Sequence, residues 1–374
     1  MKRDIFLVGS GLTRFGEHWD KSLKDIMREA MQTALVSSRL QARDVDLVIV
    51  ANMLADATSD QANLGALASS LLPHHPAALR VEGACASGAL ALHTACAFLE
   101  SDRAKTVLVV GAEKMTDAPV EAVSAALMGA ADGELDAPSG ITFPGIFGLI
   151  ARRYMHEYGL SREKLSLVSA LHHRNAKHNS FAQFRQEISP ETVTESTMVS
   201  DPLRLLDCSP ISDGAAACIL STEHRSEMKL LASQMANDTL SIAERSTITS
   251  FPATREAMRL ALAEADIPRE KIRIVETHDC FSIAALINME DLGFAQEGGG
   301  IQIYEDLFEG RPQIAVNSSG GLKACGHPVA ATGIKQVIDS SKHMNLSGAR
   351  YGLTHNFGGA GASCGVHVLE NLAI

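Results

Sequence analysis

Short apolar runs alternate with longer segments of helical periodicity through the first third of the chain. The stretch SLKDIMREAMQTALVSS (residues 22–38) places apolar residues three and four positions apart, as an amphipathic helix does. DIFLVGSG, VDLVIVANM and KTVLVVGAE are instead continuous apolar runs of strand length. Strands without a polar face are typical of a sheet that is covered on both sides. We therefore predict an α/β fold with a mainly parallel, doubly covered sheet.

The alternation is interrupted between residues 118 and 202 by loops and amphipathic segments, which we interpret as an inserted helical and loop subdomain. Strand character returns in SDGAAACILST (residues 212–222), which would complete the first sheet. From residue 226 onward, helices and strands follow in an order that repeats the first part in outline. The predicted organisation is two similar α/β halves, residues 1–117 with 203–225 and residues 226–374, separated by the insert.

The composition argues against several classes of function. Of the 374 residues, 46% are hydrophobic and 21% are charged, as in an ordinary folded protein. The net charge is −11 and no run of basic residues occurs, so neither nucleic acid nor an anionic membrane is an expected partner. No apolar run approaches the roughly 18 residues of a membrane span. The seven cysteines show no Cys-x-x-Cys spacing, and we expect a reduced, cytoplasmic protein.

A cysteine follows a predicted strand in EGACASGALAL (residues 82–92). Cys85 would lie in the first turn of an apolar helix, between Gly83 and Gly88. The positive end of a helix lowers the pKa of a thiol, and small neighbours let a carbonyl group approach the sulfur. Cys85 is therefore a candidate nucleophile. The alternative is that it is one more small buried residue, as most free cysteines are.

A histidine stands at a second strand-to-helix connection, in AVNSSGGLKACGHPVAATG (residues 315–333). Proline is favoured in the first turn of a helix, so Pro328 would place His327 at a helix N-terminus. A neutral imidazole is favoured there, and it can accept a thiol proton or donate to an oxyanion. In the duplicated scheme this loop is the counterpart of the Cys85 loop, and the two would meet. A helix-capping histidine at the surface is the alternative.

The stretch VETHDCFSIA (residues 275–284) places two further polar groups at a strand end. One residue separates His278 from Cys280, so their side chains would share a face of the strand and reach one pocket. Asp279 would point elsewhere and is predicted to cap the helix that begins near Ser282.

Two cysteines and two histidines in these loops raise the alternative of a structural zinc site. Ligands of such sites are usually about two to four residues apart, whereas a single residue separates His278 from Cys280. We therefore predict no metal. The stretch HHRNAKH, which contains His172, His173 and His178, alternates with basic residues and is interpreted as a solvated helix face.

Four stretches together resemble one family. EGACASGALAL, VETHDCFSIA, NSSGGLKACGHPVAATG and HNFGGAGASCGVHVL, in this order and at these separations, resemble the thiolases. The His-Asp-Cys-Phe form resembles their sterol-carrier-protein-type branch, and the resemblance covers nearly the whole chain. It implies a thiolase fold, with two duplicated α/β halves in a five-layered αβαβα arrangement, and a homodimer or homotetramer.

The resemblance also implies roles for individual residues. Cys85 would be the acylated nucleophile, and His327 would activate it and help to bind the thioester oxygen. The backbone N–H groups of Cys85 and Gly358 would form the oxyanion hole for the tetrahedral intermediate.

The second acid–base thiol of most thiolases lies in a C-terminal loop, where this chain has Asn356. In the sterol-carrier-type branch the thiol comes from the His-Asp-Cys-Phe stretch. Cys280 would therefore exchange the proton, His278 and His327 would face the enolate oxygen, and Asn356 is expected to contribute little to the proton exchange. Packing is the expected role of the remaining cysteines, which are Cys96, Cys208, Cys218, Cys325 and Cys364.

The implied activity is acyl transfer by Claisen chemistry. The enzyme would cleave 3-ketoacyl-CoA with CoA, or condense acyl-CoA with acetyl-CoA, through a Cys85 acyl-enzyme. One alternative is a decarboxylating ketoacyl synthase, which would lack a second active thiol such as Cys280. Another is a non-catalytic acyl-CoA-binding or scaffold subunit. A partner protein that channels the product is left open.

CoA thioesters are the expected substrates, and no cofactor is expected. The insert and the loop from Ser233 to Thr249 would hold CoA, with Ser233 as the candidate contact. No phosphate-binding motif supports this assignment. GSGLTRFG near the N-terminus is only a loose glycine pattern and does not predict dinucleotide binding.

Overall fold

The computed structural model describes residues 3–374 as an α/β protein with one large sheet system. Its strands are β1 (Ile5–Leu12), β2 (Leu47–Ala51), β3 (Ala77–Val81), β4 (Thr106–Glu113), β5 (Met198–Ser200), β6 (Leu203–Arg204), β7 (Gly214–Ser221), β8 (Met228–Asn237), β9 (Ile272–Glu276), β10 (Ala315–Val316), β11 (Tyr351–Gly358) and β12 (Ser363–Asn371).

The helices fall where apolar residues recur at helical spacing. They are α1 (Leu23–Ser38), α2 (Ala55–Thr58), α3 (Leu64–Ser69), α4 (Ser87–Glu100), α5 (Val120–Leu127), α6 (Phe143–Tyr158), α7 (Arg162–Ala176), α8 (Pro190–Glu195), α9 (Pro252–Ala265), α10 (Ser282–Asp291), α11 (Gly300–Phe308), α12 (Gly321–Cys325) and α13 (Thr332–Ser347). Short 3-10 turns lie between several of them, and the one at Ala84–Ala86 carries Cys85.

The strands form one ladder in the order β3-β2-β4-β7-β1-β8-β12-β11-β9-β10. The halves join where β1 meets β8, with Ile5 opposite Leu230. Strands β2, β3 and β4 are parallel, as are β9, β10 and β11. Strands β1, β7, β8 and β12 are joined by antiparallel pairings. The expectation of a mainly parallel sheet is therefore wrong: the sheet is mixed, because β7 runs antiparallel to both of its neighbours, β4 and β1, and β12 runs antiparallel to both of its neighbours, β11 and β8.

Five layers follow from how the helices cover this ladder. Helices α1 and α3 pack on the outer face of the first five strands, and α9 packs on the outer face of the second five. Helices α4 and α13 lie between the two sets of strands and contact both. The predicted αβαβα arrangement is confirmed.

The central helices approach each other closely because glycines face each other at their crossing. A Cβ atom on Gly88 would lie 2.7 Å from the carbonyl oxygen of Ala330. A Cβ atom on Gly333 would lie 2.5 Å from the backbone nitrogen of Ala89. These glycines bring the beginnings of α4 and α13, and with them the Cys85 and His327 loops, to one place.

The insert carries α5 to α8 and a two-stranded hairpin of β5 and β6. The boundary placed at residue 203 falls within this hairpin, and the strand that rejoins the first sheet is β7. The division into two halves and an insert stays a prediction. Within residues 3–374, none of the helices combines the length and apolarity needed to cross a membrane.

Candidate active site

Cys85 lies in the 3-10 turn between β3 and α4, so it precedes the helix that was expected to contain it. The turn is closed by Ser87, whose hydroxyl donates to the carbonyl of Ala84 at 2.6 Å and accepts from the N–H of Gly83 at 3.0 Å. Ala84 has a φ of 52°, a left-handed conformation that is uncommon outside glycine. Backbone outliers of this kind concentrate at functional sites.

The thiol of Cys85 is not activated in the way that its position predicted. Burial raises the pKa of this thiol to about 12, and the carboxyl group of Glu113 adds to the increase. The backbone N–H of Gly359 opposes it, but desolvation outweighs that contact. The expected thiolate at a helix N-terminus is therefore wrong: the resting thiol is protonated and needs a base.

His327 can serve as that base because of how its other nitrogen is held. Its Nδ1 lies 2.7 Å from the hydroxyl oxygen of Thr332, and that hydroxyl donates to the carbonyl of Pro328 at 3.3 Å. A hydroxyl that donates elsewhere must accept from Nδ1–H, so Nε2 carries the lone pair. Nε2 is buried and has no hydrogen-bond partner among residues 3–374. His327 therefore presents a proton acceptor.

The reason that His327 is neutral differs from the one expected. Helix α13 begins at Thr332 and not at Pro328, so His327 is outside the first turn of that helix. Burial lowers the pKa of His327 to about 3. The imidazole is neutral at physiological pH because it is enclosed, and the Thr332 hydroxyl at the start of α13 orients the ring.

His278 is held in the opposite tautomer. The Nδ2 atom of Asn356 lies 2.8 Å from its Nδ1, and with the amide in this orientation Nδ2 donates. Nδ1 then accepts, the ring proton is on Nε2, and this nitrogen has no hydrogen-bond partner in the described part of the chain. Burial, with His327 and His355, lowers the pKa of His278 well below its ordinary value. The ring is therefore a neutral hydrogen-bond donor. Asn356 thus orients His278, and the expectation that it contributes little to proton exchange stays a prediction.

The three groups converge. Cys85, His278 and His327 each offer one atom, and these atoms all lie within 4.8 Å of one another. The two imidazole rings meet edge to face, with centroids 5.0 Å apart. One thiol thus faces an acceptor nitrogen and a donor nitrogen. The spacing would also suit a metal ion, and the prediction that no metal takes part stays a prediction.

Cys280 is the second thiol at this place. It is buried, and burial raises its pKa well above the ordinary value, with Cys85 as the next largest contributor. Lys323 opposes this increase. The two cysteines are therefore electrostatic neighbours, and each is a neutral thiol at rest.

Asp279 has a structural role, but not the predicted one. Its carboxylate accepts from the backbone N–H of Leu322 at 2.8 Å, so it caps α12 and not α10. Its Oδ2 lies 2.8 Å from Nδ1 of His172, and both side chains are fully buried. The capping of α12 attaches the His278–Cys280 segment to the loop that carries His327.

The histidine cluster of α7 is not a solvated face. His172 and His173 are both buried, and His178 is exposed. Basic neighbours suggested exposure, but the face of α7 that carries His172 packs against α10, α11 and α12.

Gly358 ends β11 directly against the nucleophile turn. A Cβ atom on Gly358 would lie 2.3 Å from the carbonyl oxygen of Gly83. Glycine is therefore required for this strand to reach the Cys85 turn. The N–H that acts on the Cys85 thiol belongs to the next residue, Gly359, while the oxyanion-hole role of Gly358 stays a prediction.

Ser233 is not available to CoA. It lies in β8 and is only 3% exposed. Its hydroxyl is 2.9 Å from Nδ1 of His367 and 3.2 Å from Nδ1 of His93. The proposed CoA contact at Ser233 is wrong, because the side chain points into the interior between two imidazoles.

Three residues that act on the active-site side chains were not identified from the sequence: Thr332, Gly359 and Lys323. A buried lysine gives no local signal, whereas the hydroxyl of Thr332 lies about one helical turn beyond Pro328, a spacing from which contact with the loop could have been predicted.

Comparison with known proteins agrees with this geometry. The family model described as "Thiolase, N-terminal domain" matches residues 5–224, and "Thiolase C-terminal domain-like" matches residues 234–371. The acetyl-CoA acetyltransferase of Methanothermobacter thermautotrophicus is 41% identical, over 98% of this chain and 100% of its own. Sterol carrier protein 2 of Bos taurus is 30% identical, over 97% of this chain and 71% of its own.

The fold is shared more widely. A solved structure of the Ltp2-ChsH2(DUF35) aldolase superposes with a TM-score of 0.82 at 20% identity, covering 99% of this chain and 98% of that chain. With both domain models matched in order along nearly the whole length, the chain belongs to the thiolase family.

Proposed function

We propose that this protein is an acetyl-CoA acetyltransferase that works through a Cys85 acyl-enzyme. One observation carries the proposal: two neutral imidazoles of opposite tautomer, His327 and His278, converge on a single thiol. A nucleophile that must lose a proton requires the acceptor, and an oxyanion that must be bound requires the donor. The curated relative named as an acetyl-CoA acetyltransferase supports the acetyl group as the unit transferred.

The first half-reaction forms the acyl-enzyme. The Cys85 sulfur attacks the thioester carbonyl while its proton moves to Nε2 of His327, because a thiol with so high a pKa cannot ionise in advance. The backbone N–H groups of Cys85 and Gly358 are proposed to hold the tetrahedral oxyanion. CoA then leaves and takes the proton from His327.

The second half-reaction joins two carbons. Cys280 passes its own proton to His327 and, as a thiolate, removes a proton alpha to the thioester of a second acetyl-CoA. The enolate oxygen accepts from Nε2–H of His278, and the carbanion attacks the acyl group on Cys85. The Cys85 thiolate leaves and recovers the proton from His327. The reverse sequence is thiolysis of a 3-ketoacyl-CoA.

The two alternatives are less well supported. A decarboxylating ketoacyl synthase needs no second thiol, yet Cys280 lies at the site. A scaffold subunit needs neither a base nor a donor, yet both face Cys85. CoA is proposed to lie against the insert and the segment 238–249, without Ser233.

Assembly and compartment belong to the same proposal. We propose a homodimer or homotetramer that forms along β3, the edge strand of the first sheet, whose residues are partly exposed. The two-component name of the Ltp2-ChsH2(DUF35) aldolase supports a DUF35-type protein as a further partner. The cytoplasm is the proposed compartment, since all seven cysteines are free thiols.

Mass spectrometry of the intact protein after mixing with acetyl-CoA tests the proposal. We expect one added acetyl group, on the peptide that contains Cys85. It should be absent from Cys85→Ser and retained in Cys96→Ser, a buried cysteine of the adjoining helix. Acetylation of Cys85→Ser at an equal rate would rule out the proposed nucleophile.

A further inference from the structure

The segment that carries Cys280 rests on a buried lysine that the proposed mechanism does not use. Lys323 is 2% exposed. Its ammonium donates to the main-chain carbonyl of Cys280 at 3.0 Å and, at short range, to the carbonyl of Asp207. It also lies over the ring of Phe281, with Nζ 5.7 Å from the centroid. A lysine is seldom enclosed in this way, because burying an ammonium is costly unless it is paired.

The acidic group that does most to stabilise the Lys323 ammonium is Asp279, the residue between His278 and Cys280. Asp279 is fully buried, and one of its oxygens also faces the backbone N–H of Lys323 at 3.4 Å. The negative charge therefore lies in the His278–Cys280 segment, and the positive charge lies in α12, the helix that leads to His327. Buried charges of opposite sign add little to stability compared with apolar residues of similar size, so a role in the chemistry would explain these two.

We propose that Lys323 is a positioning residue for Cys280: it fixes the main chain beside this cysteine and supplies the positive charge on which its proton transfer depends. The inference rests on the proposed function, in which Cys280 must become a thiolate. That thiolate forms in an enclosed site beside another thiol, and Lys323 is the neighbouring cation that stabilises it.

The pKa shifts of the groups around Lys323 have the directions that its position predicts. Burial, Cys85 and Asp279 raise the pKa of Cys280, while Lys323 and the backbone N–H of Phe281 lower it. Lys323 also lowers the pKa of both His278 and His327, which keeps these rings neutral. Burial lowers the pKa of Lys323 itself, and the acidic groups that oppose this are Asp279, Cys208, Cys280 and Asp207. One fixed charge thus favours a thiolate and disfavours two imidazolium ions.

The test measures iodoacetamide labelling of Cys280 against pH in the full chain, in a Cys85→Ser background that removes the other active-site thiol. Labelling follows the thiolate, and one pKa unit changes its fraction about tenfold. Lys323→Met should shift the profile to higher pH and reduce labelling at pH 8 by about tenfold or more. Lys323→Arg should keep labelling within about threefold of the parent, since the charge remains.

Asp279→Asn should shift the pH profile of Cys280 labelling in the opposite direction, which distinguishes an effect of charge from a general disturbance of the fold. Loss of the neighbouring negative charge should move the profile to lower pH, while Asn can still accept at the end of α12. Lys335→Met is the matched control, since Lys335 is 5% exposed and pairs with Asp339. It should leave the Cys280 profile unchanged.

Equal labelling in Lys323→Met and its parent, or equal losses in Lys323→Met and Lys323→Arg, would overturn the proposal. So would an upward shift in Asp279→Asn. If Lys323→Met does not fold by circular dichroism, the Lys323→Arg and Asp279→Asn profiles decide the matter alone. The labelling needs no acyl transfer, so failure of the wild type to accept an acetyl group would refute the proposed function without affecting this test.

Discussion

The side-chain amide of Asn356 lies 2.8 Å from Nδ1 of His278, and within residues 3–374 the other ring nitrogen, Nε2, has no hydrogen-bond partner. Asn356 occupies the place where most thiolases carry a second catalytic cysteine. It thus orients the imidazole, and proton transfer is the role proposed for Cys280. A donor at Nδ1 keeps the proton on Nε2, where an enolate oxygen can accept it.

Asn356→Asp tests the tautomer without a change of shape. A carboxylate accepts where the amide donated, so the ring proton would move to Nδ1 and Nε2 would lose its donor. We expect condensation to slow by about 100-fold, the typical cost of removing one oxyanion donor, with little change in acetylation of Cys85. Rapid-quench measurement of each half-reaction checks this.

The control is Asn371→Asp, a buried asparagine at the far end of β12. Equal losses in both half-reactions of Asn356→Asp would indicate a general defect and contradict the assigned tautomer.

Thr332→Val tests the orientation of His327. Valine has nearly the same shape but cannot accept from Nδ1–H, and a buried donor without a partner costs about 1–3 kcal/mol. Acetylation of Cys85 should slow by about tenfold or more, because the acceptor tautomer is no longer favoured. Thr332→Ser keeps the hydroxyl and should acetylate at close to the wild-type rate. If Thr332→Val matches Thr332→Ser in stopped-flow assays, the hydroxyl does not set the tautomer.

The pH dependence of Cys85 alkylation distinguishes a buried thiol from a preformed thiolate. Burial raises the pKa of Cys85 to about 12, and only the thiolate reacts with iodoacetamide. The rate in the free enzyme should therefore increase about tenfold for each pH unit across the range in which the fold is stable. Peptide mapping after timed labelling gives the rate. A plateau near neutral pH would instead indicate a thiolate stabilised by the helix end.

Gly358→Ala tests the contact between β11 and the nucleophile turn. The added Cβ would lie 2.3 Å from a backbone oxygen that cannot move aside without displacing the turn. We expect a loss of about 1–3 kcal/mol in the free energy of unfolding and the loss of Cys85 acetylation. Gly129→Ala, where the added atom meets nothing within 4 Å, is the control for urea denaturation. Unchanged acetylation in Gly358→Ala would contradict the contact.

Local patterns were sufficient for the α/β class and for the identities of the converging groups, whereas the five-layered arrangement came from the resemblance to the thiolases. Cys85, His278 and His327 each sit in a glycine-bearing or strand-end motif that can be recognised without neighbours. The protonation states of these side chains were harder to predict from the sequence. Whether a helix end or desolvation governs the Cys85 thiol depends on how much protein surrounds it, and that is a property of the packed molecule.

Hydrogen-bond partners from distant parts of the chain were missed for the same reason. Asn356 lies 78 positions from His278, and no spacing rule relates a residue of β11 to a segment that follows β9. Asp279 was correctly given a structural role, yet the helix that it caps begins more than 40 residues later and not beside it. Ser233 was assigned to a loop that would hold CoA, whereas it lies in β8, where His93 and His367 contact its hydroxyl inside the protein.

The central claim is that Cys85 carries the acetyl group while Cys280 exchanges the proton, and Cys280→Ala tests it most directly. The variant is mixed with acetyl-CoA in deuterated buffer, and both the acetyl group on Cys85 and the deuterium in the recovered acetyl-CoA are measured by mass spectrometry, with Cys364→Ser as the matched buried control. The account predicts that Cys280→Ala still acetylates Cys85 but incorporates no deuterium and forms no condensation product, while Cys364→Ser does all three. Deuterium incorporation that survives in Cys280→Ala would contradict it.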